Sequence, residues 1–356
     1  MLYWPIVHPR RKTLGRMAAD PVLNDRTFLV VGAGSIGRRH LANLRKLAPQ
    51  SRIVVLGRED SGGLPGTSRV VTRLEDAMAE RPFAAVVANP APLHLSVAQK
   101  LAEQGCHLLV EKPLSDGIAG VDRLIQTCTD HRAVLMVGYN LRFLPSLQKM
   151  SELLADGAIG KILHLRAEVG QYLPDWRPST DYRQSITARR ALGGGALLEL
   201  SHEIDLALWL GGPIASVMAR IDRISDLNID TDDCVDLVLD FASNAHGTVH
   251  MDLLQRVPQR KVLVVGSEGT LEWDYFADTV RIGRSAVEGW QLVEVPRLAE
   301  RNDMYVRELE AFLECAVTGK TPAVDGRAAL DVLAVVEAAR QSEHSNHAQV
   351  AVECRR

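Results

Sequence analysis

The stretch that most constrains this chain is Arg26 to Gly37, RTFLVVGAGSIG. Thr27 to Val31 is a short apolar run of strand-forming residues. Gly32-Ala33-Gly34-Ser35-Ile36-Gly37 follows at once. Arg38 to Leu47 then reads as a helix, with Ile36, Leu41, Leu44 and Leu47 able to share one side. Strand, glycine-rich turn and helix, in this order, cradle the pyrophosphate of a dinucleotide. Gly32 allows the tight turn. Gly34 has no side chain to hold phosphates off the backbone, and Gly37 lets the helix pack close to the strand. The free N–H groups at the helix start, around Ser35 and Ile36, point at the anion. Glycine turns are common, so the flanking strand and helix carry the assignment.

Arg52 to Leu56 is the second strand, and it should end near the adenosine ribose. The chain there reads Leu56-Gly57-Arg58-Glu59-Asp60. Arg58 faces a 2′-phosphate, lies on the adenine, or is a solvated surface residue; Glu59 is the alternative, holding the ribose hydroxyls of NAD. The arginine at the strand end tips the expectation narrowly to NADP. Phe83 to Ala88 is another buried strand, closed by Asn89-Pro90-Ala91-Pro92. Asn89 and Pro90 therefore belong beside the ribose or nicotinamide, because strand ends on this edge line the ligand crevice. His94, in the first turn of the helix from Leu93 to Gln104, either packs and caps that helix or touches the cofactor. Leu108 to Val110 is a strand with Glu111, Lys112 and Pro113 at its C-terminal end, beside the same crevice. Lys112 there can polarise a carbonyl or hold an alkoxide; a surface salt bridge is the other reading. Residues 116 to 129 form a helix. Val134 to Gly138 is a strand, and Tyr139-Asn140-Leu141-Arg142-Phe143 leaves it, with Arg142 directed at substrate.

At 356 residues the chain is too long for one ordinary core. The second half changes character. Lys161 to Val169, Ala215 to Ile221, Cys234 to Phe241, Ala245 to Leu253 and Lys261 to Val265 look like strands, with shorter ones at Leu271 to Trp273, Thr279 to Ile282 and Gln291 to Val295. Short turns at Asn244 and at Ser267 to Thr270 indicate an antiparallel or mixed sheet, with one face on helices and the other free for a subunit partner. Met304 to Thr318 and Arg327 to Gln341 are helices. The division is an arm at 1–25, a dinucleotide-binding domain at 26–140, a substrate-binding and oligomerisation domain at 141–342, and a tail at 343–356. The net charge of −3 gives no reason to expect nucleic acid or an anionic membrane as partner. Five scattered cysteines without a Cys-x-x-Cys pair fit a reduced, cytoplasmic protein. Residues 1–25 place apolar Met1 to Val7 before basic Arg10-Arg11-Lys12, the reverse of a signal peptide. They form a loose arm or one that packs on a neighbour through Tyr3 and Trp4, and Met17 is an alternative start.

The loop after the first strand of the second half holds Tyr172, Trp176-Arg177 and Asp181-Tyr182-Arg183. Hydrogen-bonding aromatics and arginines at this density suit a polyhydroxylated substrate carrying an acidic group, or a loop pinned by its own polar contacts. Gly193-Gly194-Gly195 then leads into a mostly apolar helix, Ala196 to Leu210, with Glu199, His202, Glu203 and Asp205 in its middle. Asp205 and Glu199 each lie three residues from His202, where an acid orients the ring and raises its pKa toward neutrality. His202 is a proton shuttle or a satisfied structural histidine. The spacing of these acids matches no common zinc signature, so no metal is expected.

Taken together, Gly32-x-Gly34-x-x-Gly37, Glu111-Lys112-Pro113, and the triple glycine leading to His202-x-x-Asp205 resemble the Gfo/Idh/MocA oxidoreductases over roughly residues 26 to 342. The resemblance implies an α/β architecture: an N-terminal Rossmann domain plus a C-terminal α+β domain with a large open, mostly antiparallel sheet. It implies NAD or NADP as cofactor, a sugar, sugar derivative or cyclitol as substrate, and a homodimer or homotetramer joined through that sheet. Lys112 and His202 match the family's active-site lysine and histidine. Many members carry an aspartate four positions before the histidine; here that position is Leu198, with Glu199 one place on. The expected activity is hydride transfer between nicotinamide C4 and a secondary alcohol or ketone carbon. The alternatives are a net non-redox reaction that uses bound NAD transiently and a non-catalytic nucleotide- or sugar-binding regulator.

Overall fold

A computed structural model describes residues 21–58 and 63–353. The arm at 1–20, the acids Glu59 and Asp60, and Cys354 lie outside the described residues. A short helix α1 (Pro21–Asn24) precedes strand β1 (Thr27–Val31), and α2 (Ser35–Leu47) leads to β2 (Arg52–Leu56) and the brief β3 (Arg69–Val71). Then come α3 (Leu74–Ala79), β4 (Ala84–Val87), α4 (His94–Ala102), β5 (His107–Glu111), α5 (Val121–Asp130) and β6 (Leu135–Gly138). The six strands form one parallel sheet in the order β3-β2-β1-β4-β5-β6. The order reverses between β1 and β4, and that switch point opens the crevice where such sheets bind ligands.

Apolar runs build this sheet because both faces are covered. Leu29 and Val31 of β1 and Leu108 and Val110 of β5 enter one core. The alternate residues Phe28, Val30 and Leu109 enter a second, on the side of α2. The helix expected over 116–129 starts later, at Val121, because Gly120 adopts a left-handed φ of 86° immediately before it.

The second half opens with α6 (Pro145–Ala155) and β7 (Ile162–Gly170). Helices α7 (Ala196–Glu199) and α8 (His202–Gly211) follow, then β8 (Ile214–Asp222), β9 (Cys234–Phe241), β10 (His246–Asp252), β11 (Gln259–Gly266), β12 (Thr270–Asp274), β13 (Thr279–Gly283) and β14 (Trp290–Val293). Helices α9 (Asp303–Thr318) and α10 (Gly326–His344) and a two-residue β15 (Val350–Ala351) end the described chain. The nine strands run β14-β13-β12-β11-β7-β10-β9-β8-β15. Every pairing is antiparallel except the central β7–β10. Asn244, at φ 65°, closes the β9–β10 hairpin.

Helices α8 and α10 pack on the inner face of this sheet, and one core runs from there into the first sheet. Helix α9 returns to the nucleotide half, placing Leu309, Phe312 and Leu313 in the core beside α2. Asn43 on α2 and Asn302 before α9 exchange hydrogen bonds of 2.8 and 3.4 Å. Among the described residues no helix is long and apolar enough to cross a membrane.

Candidate active site

The glycine-rich turn has the shape that a pyrophosphate requires. Gly32 has φ 96°, and a Cβ there would lie 2.7 Å from the Ala88 carbonyl oxygen. A Cβ on Gly37 would collide with the Gly32 carbonyl, whereas one on Gly34 would meet nothing within 4 Å. Gly34 therefore presents open space, and it caps α2 without any side-chain hydrogen bond. The N–H groups of Ser35, Ile36 and Gly37 are left facing that space. These residues fit a dinucleotide. Arg58 lies exposed just beyond β2.

His94 is buried, its ring between two carbonyl oxygens: Asn89 O at 2.6 Å from Nε2 and Pro113 O at 3.0 Å from Nδ1. It thus ties the Asn89-Pro90 turn to the segment after Lys112, and burial holds its pKa down. Glu111 is turned inward, with Oε1 2.7 Å from His40 Nε2. Gly193 packs on Ala91 and Pro92, so the substrate half closes directly against this turn.

Lys112 and His202 arrive from different halves of the chain and meet through a break in a helix. The single helix expected over 196–210 is instead α7 and α8, interrupted at Leu200 and Ser201. In a continuous helix the Glu203 N–H would bond to the Glu199 carbonyl. Here it bonds to Leu200 O at 3.1 Å. The freed Glu199 carbonyl accepts a 2.8 Å hydrogen bond from Lys112 Nζ. Glu199 thus contributes its backbone, and its carboxylate has no hydrogen bond or ion pair among the described residues.

His202 is 9% exposed, with Nδ1 buried and unpartnered. Tyr139 meets it edge-on at 5.5 Å and donates its hydroxyl to Ser201 Oγ at 3.4 Å. The expectation that neighbouring acids raise the histidine pKa is reversed. Burial, then Lys112, then Arg260 push it well below 6.5. The acids are spent elsewhere. Asp205, 1% exposed, receives Arg142 Nη2 at 2.6 Å and Nε at 3.0 Å. Glu203 pairs with Arg260, Nε to Oε1 at 2.8 Å off the hydrogen-bonding angle and Nη2 to Oε2 at 3.3 Å. A neutral imidazole follows at neutral pH.

Around this pair the C-terminal ends of the parallel β7 and β10 supply a rim. Tyr172 binds the Gln255 carbonyl through its N–H at 2.7 Å and carries the Arg256 guanidinium 3.6 Å above its ring. Trp176 donates Nε1 to Gln171 O at 3.1 Å. Asp181 and Arg183 satisfy each other, Nε to Oδ1 at 2.8 Å, and the Tyr182 hydroxyl accepts from Asn228 N at 3.3 Å. Arg177 is exposed. The polar groups of Asp181, Tyr182 and Arg183 thus pin the loop in place, while Tyr172 stands next to the sheet ends. Sequence reasoning passed over Tyr139 and Arg260. Tyr139 had a usable signal, its place directly after a parallel strand; Arg260 reaches α8 only through the sheet and had none.

Comparison with known proteins finds matches in both halves of the chain. Residues 26–139 match the oxidoreductase family with NAD-binding Rossmann fold, and residues 147–272 match the GFO/IDH/MocA C-terminal domain. Myo-inositol 2-dehydrogenase of Thermotoga maritima is 29% identical over 273 residues, 73% of this chain and 77% of the relative. 2,7-Anhydro-N-acetylneuraminate hydratase of Mediterraneibacter gnavus is 24% identical over 255 residues, 69% of this chain and 67% of the relative. A levoglucosan dehydrogenase solved with NADH and levoglucosan superposes with TM-score 0.81 at 21% identity, covering 92% of this chain and 99% of the other. With its Rossmann sheet, its mixed nine-stranded sheet and matches in both halves, the chain belongs to the Gfo/Idh/MocA family of oxidoreductases.

Proposed function

We propose that this protein is an NAD(P)-dependent dehydrogenase or reductase acting on a secondary alcohol or ketone carbon of a sugar, sugar derivative or cyclitol. The observation that carries the reading is the meeting of Lys112 and His202, with Lys112 Nζ bonded to the carbonyl three residues before the histidine. Gly32, Gly34 and Gly37, with the free N–H groups of α2, hold the pyrophosphate. Asn89, Pro90 and Lys112 line the nicotinamide side. The cofactor, when bound, accepts or returns the hydride at nicotinamide C4. His202, neutral at physiological pH, takes the hydroxyl proton as the C–H bond breaks, through Nε2, since Nδ1 is buried without a partner. Lys112 donates a hydrogen bond to the developing alkoxide. Tyr172, Trp176, Arg177 and the free carboxylate of Glu199 bind substrate hydroxyls, and Arg142 fixes Asp205 beneath α8.

Arg58 gives a slight preference for NADP. The same reading places it in the cytoplasm; among the described residues Cys106, Cys128, Cys234 and Cys315 are free thiols. It assembles as a homodimer or homotetramer through the outer face of the nine-stranded sheet, where Met218 and Val238 are 42% and 48% exposed.

The test is a panel of neutral sugars, sugar acids, nucleotide sugars and inositols, followed by nicotinamide absorbance with each cofactor, together with NADH and NADPH titrations of wild type and Arg58→Ala. Substrate-dependent reduction or oxidation supports the reading. Binding of a sugar and cofactor without turnover would favour the regulatory alternative. Tighter NADH binding that ignores Arg58→Ala would end the NADP preference. Substrate conversion without net change in the nicotinamide would favour the net non-redox reaction, the reading that the similarity to a hydratase keeps open.

A further inference from the structure

Behind the end of β5, three titratable side chains from three elements meet, two of them fully buried and Glu111 12% exposed. They are His40 on α2, Glu111 on β5 and Glu308 on α9, with one nitrogen or oxygen from each lying within 4.8 Å of the others. His40 is 0% exposed and stands 2.7 Å from Glu111 through Nε2. Glu308 is also 0% exposed, and neither of its oxygens has a hydrogen-bond partner. His40 Nδ1 is unpartnered too. The other groups facing the cluster are Lys112 and His94, toward Glu111, and Tyr305, which meets the His40 ring edge-on at 6.3 Å, with Arg39 4.4 Å from its ring centre and Arg301 also acting on it. Among the described residues no cation pairs with Glu308.

Two carboxylates this close, one of them fully buried, disfavour each other's ionised form. Glu111 has a donor in His40 and the Lys112 backbone N–H 3.3 Å from its Oε2. Burial raises its pKa, but His40 and then Lys112 outweigh that and hold it low. Glu308 has no donor, and burial followed by the charge of Glu111 drives it well above the usual carboxylate range. A proton on Glu308 removes the like charge from beside Glu111, which lies within 4.8 Å.

We propose that Glu308 is a neutral carboxylic acid in the working protein and a positioning residue for Lys112, leaving one negative charge, on Glu111, directly behind the lysine. Helix α9 thereby reports to the active site through Glu111. The kinetic part of this inference rests on Lys112 being in the active site; the protonation part does not.

Infrared spectra of the full chain at neutral pH, in water and in heavy water, should show the carbonyl band of a protonated carboxyl group that disappears in Glu308→Gln. Glu308→Leu should lower turnover about tenfold, the scale of one misplaced hydrogen bond, and Glu308→Gln should recover most of it. Turnover at neutral pH should stay near that of wild type in Glu308→Gln and fall in Glu111→Gln, which removes the charge behind Lys112. A Glu308→Gln loss of turnover equal to that of Glu111→Gln would overturn the proposal, as would a wild-type spectrum without the band. A stoichiometric divalent metal in purified protein that Glu308→Gln releases would also overturn it. Should Lys112→Met leave turnover intact, the functional reading fails, while the infrared band still tests the proton on Glu308.

Discussion

Replacing Lys112 with methionine keeps the length of the side chain and removes its charge and donors. Three consequences follow from the geometry. The Glu199 carbonyl loses its 2.8 Å charge-assisted bond, in a place where the helix break leaves it no backbone partner. Bonds to charged groups contribute about 1.5–3 kcal/mol, so the variant should be less stable by the lower part of that range, since water can reach the vacated carbonyl. Turnover should fall by ~10²–10³, the cost of one donor aimed at a developing oxyanion. The third consequence is specific to this pairing. Lys112 is the second cause, after burial, of the low His202 pKa. His202 acts as a base only when neutral, so activity is lost as pH falls through its pKa, and the wild-type acid limb lies well below 6.5 with a flat profile through neutrality. Without Lys112 the limb moves upward. It stays under 6.5, because burial and Arg260 remain. The measurements are turnover against pH and a fluorescence titration with reduced cofactor, whose binding should persist because the glycine turn is untouched. A limb fixed at its wild-type position, whatever the loss of rate, would refute the electrostatic link between the two residues.

Two further outcomes concern stability. Arg142→Ala strands Asp205, 1% exposed, without its bidentate partner; urea unfolding should register a loss of about 3–5 kcal/mol, and Arg142→Ala with Asp205→Asn should recover part of it. His250 on β10 is raised to about 9, first by its bond to Asp252 and, against burial, by Asp236. Its folded pKa lies above the unfolded value, so its stabilisation is complete below pH 6.5 and is lost as pH rises through about 9. At about 1.4 kcal/mol per tenfold in proton affinity, cut for a ring that is 34% exposed, this amounts to roughly 1–2 kcal/mol. The stability gap between wild type and His250→Gln should close across that window.

How much of this could be read from the chain depended on the range of each interaction. The turn at Gly32 to Gly37 and the strand end at Glu111-Lys112 are local, and their spacing alone placed them at the crevice. Nearly every strand of the second sheet was legible from alternation, and Asn244 from its turn preference. The three-residue β3 was too short to show a period. The parallel pairing of β7 with β10 joins strands that are far apart in sequence and leaves no mark on either. The return of α9 to α2 is equally silent, because Leu309, Phe312 and Leu313 look like any apolar helix face until the partner is known. The histidine's environment misled for a related reason. Of the acids three residues away, Asp205 is claimed by Arg142 from a distant element and Glu199 offers His202 no bond, while burial, Lys112 and Arg260 set the ring's pKa.

Leu198 brings these strands of argument to one residue. It stands where many relatives carry an aspartate, and the simplest repair is Leu198→Asp. The geometry predicts failure. Leu198 is 4% exposed and belongs to the core that joins the two sheets. An aspartate there loses the packing of a leucine, about 2–5 kcal/mol, and adds the several kcal/mol needed to bury a carboxyl without a partner. The sum rivals the 5–15 kcal/mol that holds a typical domain. The polar group this chain offers near Lys112 is instead the neighbouring Glu199, whose backbone carbonyl already binds the ammonium at 2.8 Å. Leu198→Asp should therefore unfold at much lower urea concentration than wild type and show no gain in turnover, whereas Glu199→Ala should fold normally and lose substrate affinity. A stable Leu198→Asp variant with raised turnover would show that the side chain can swing from the core into the crevice.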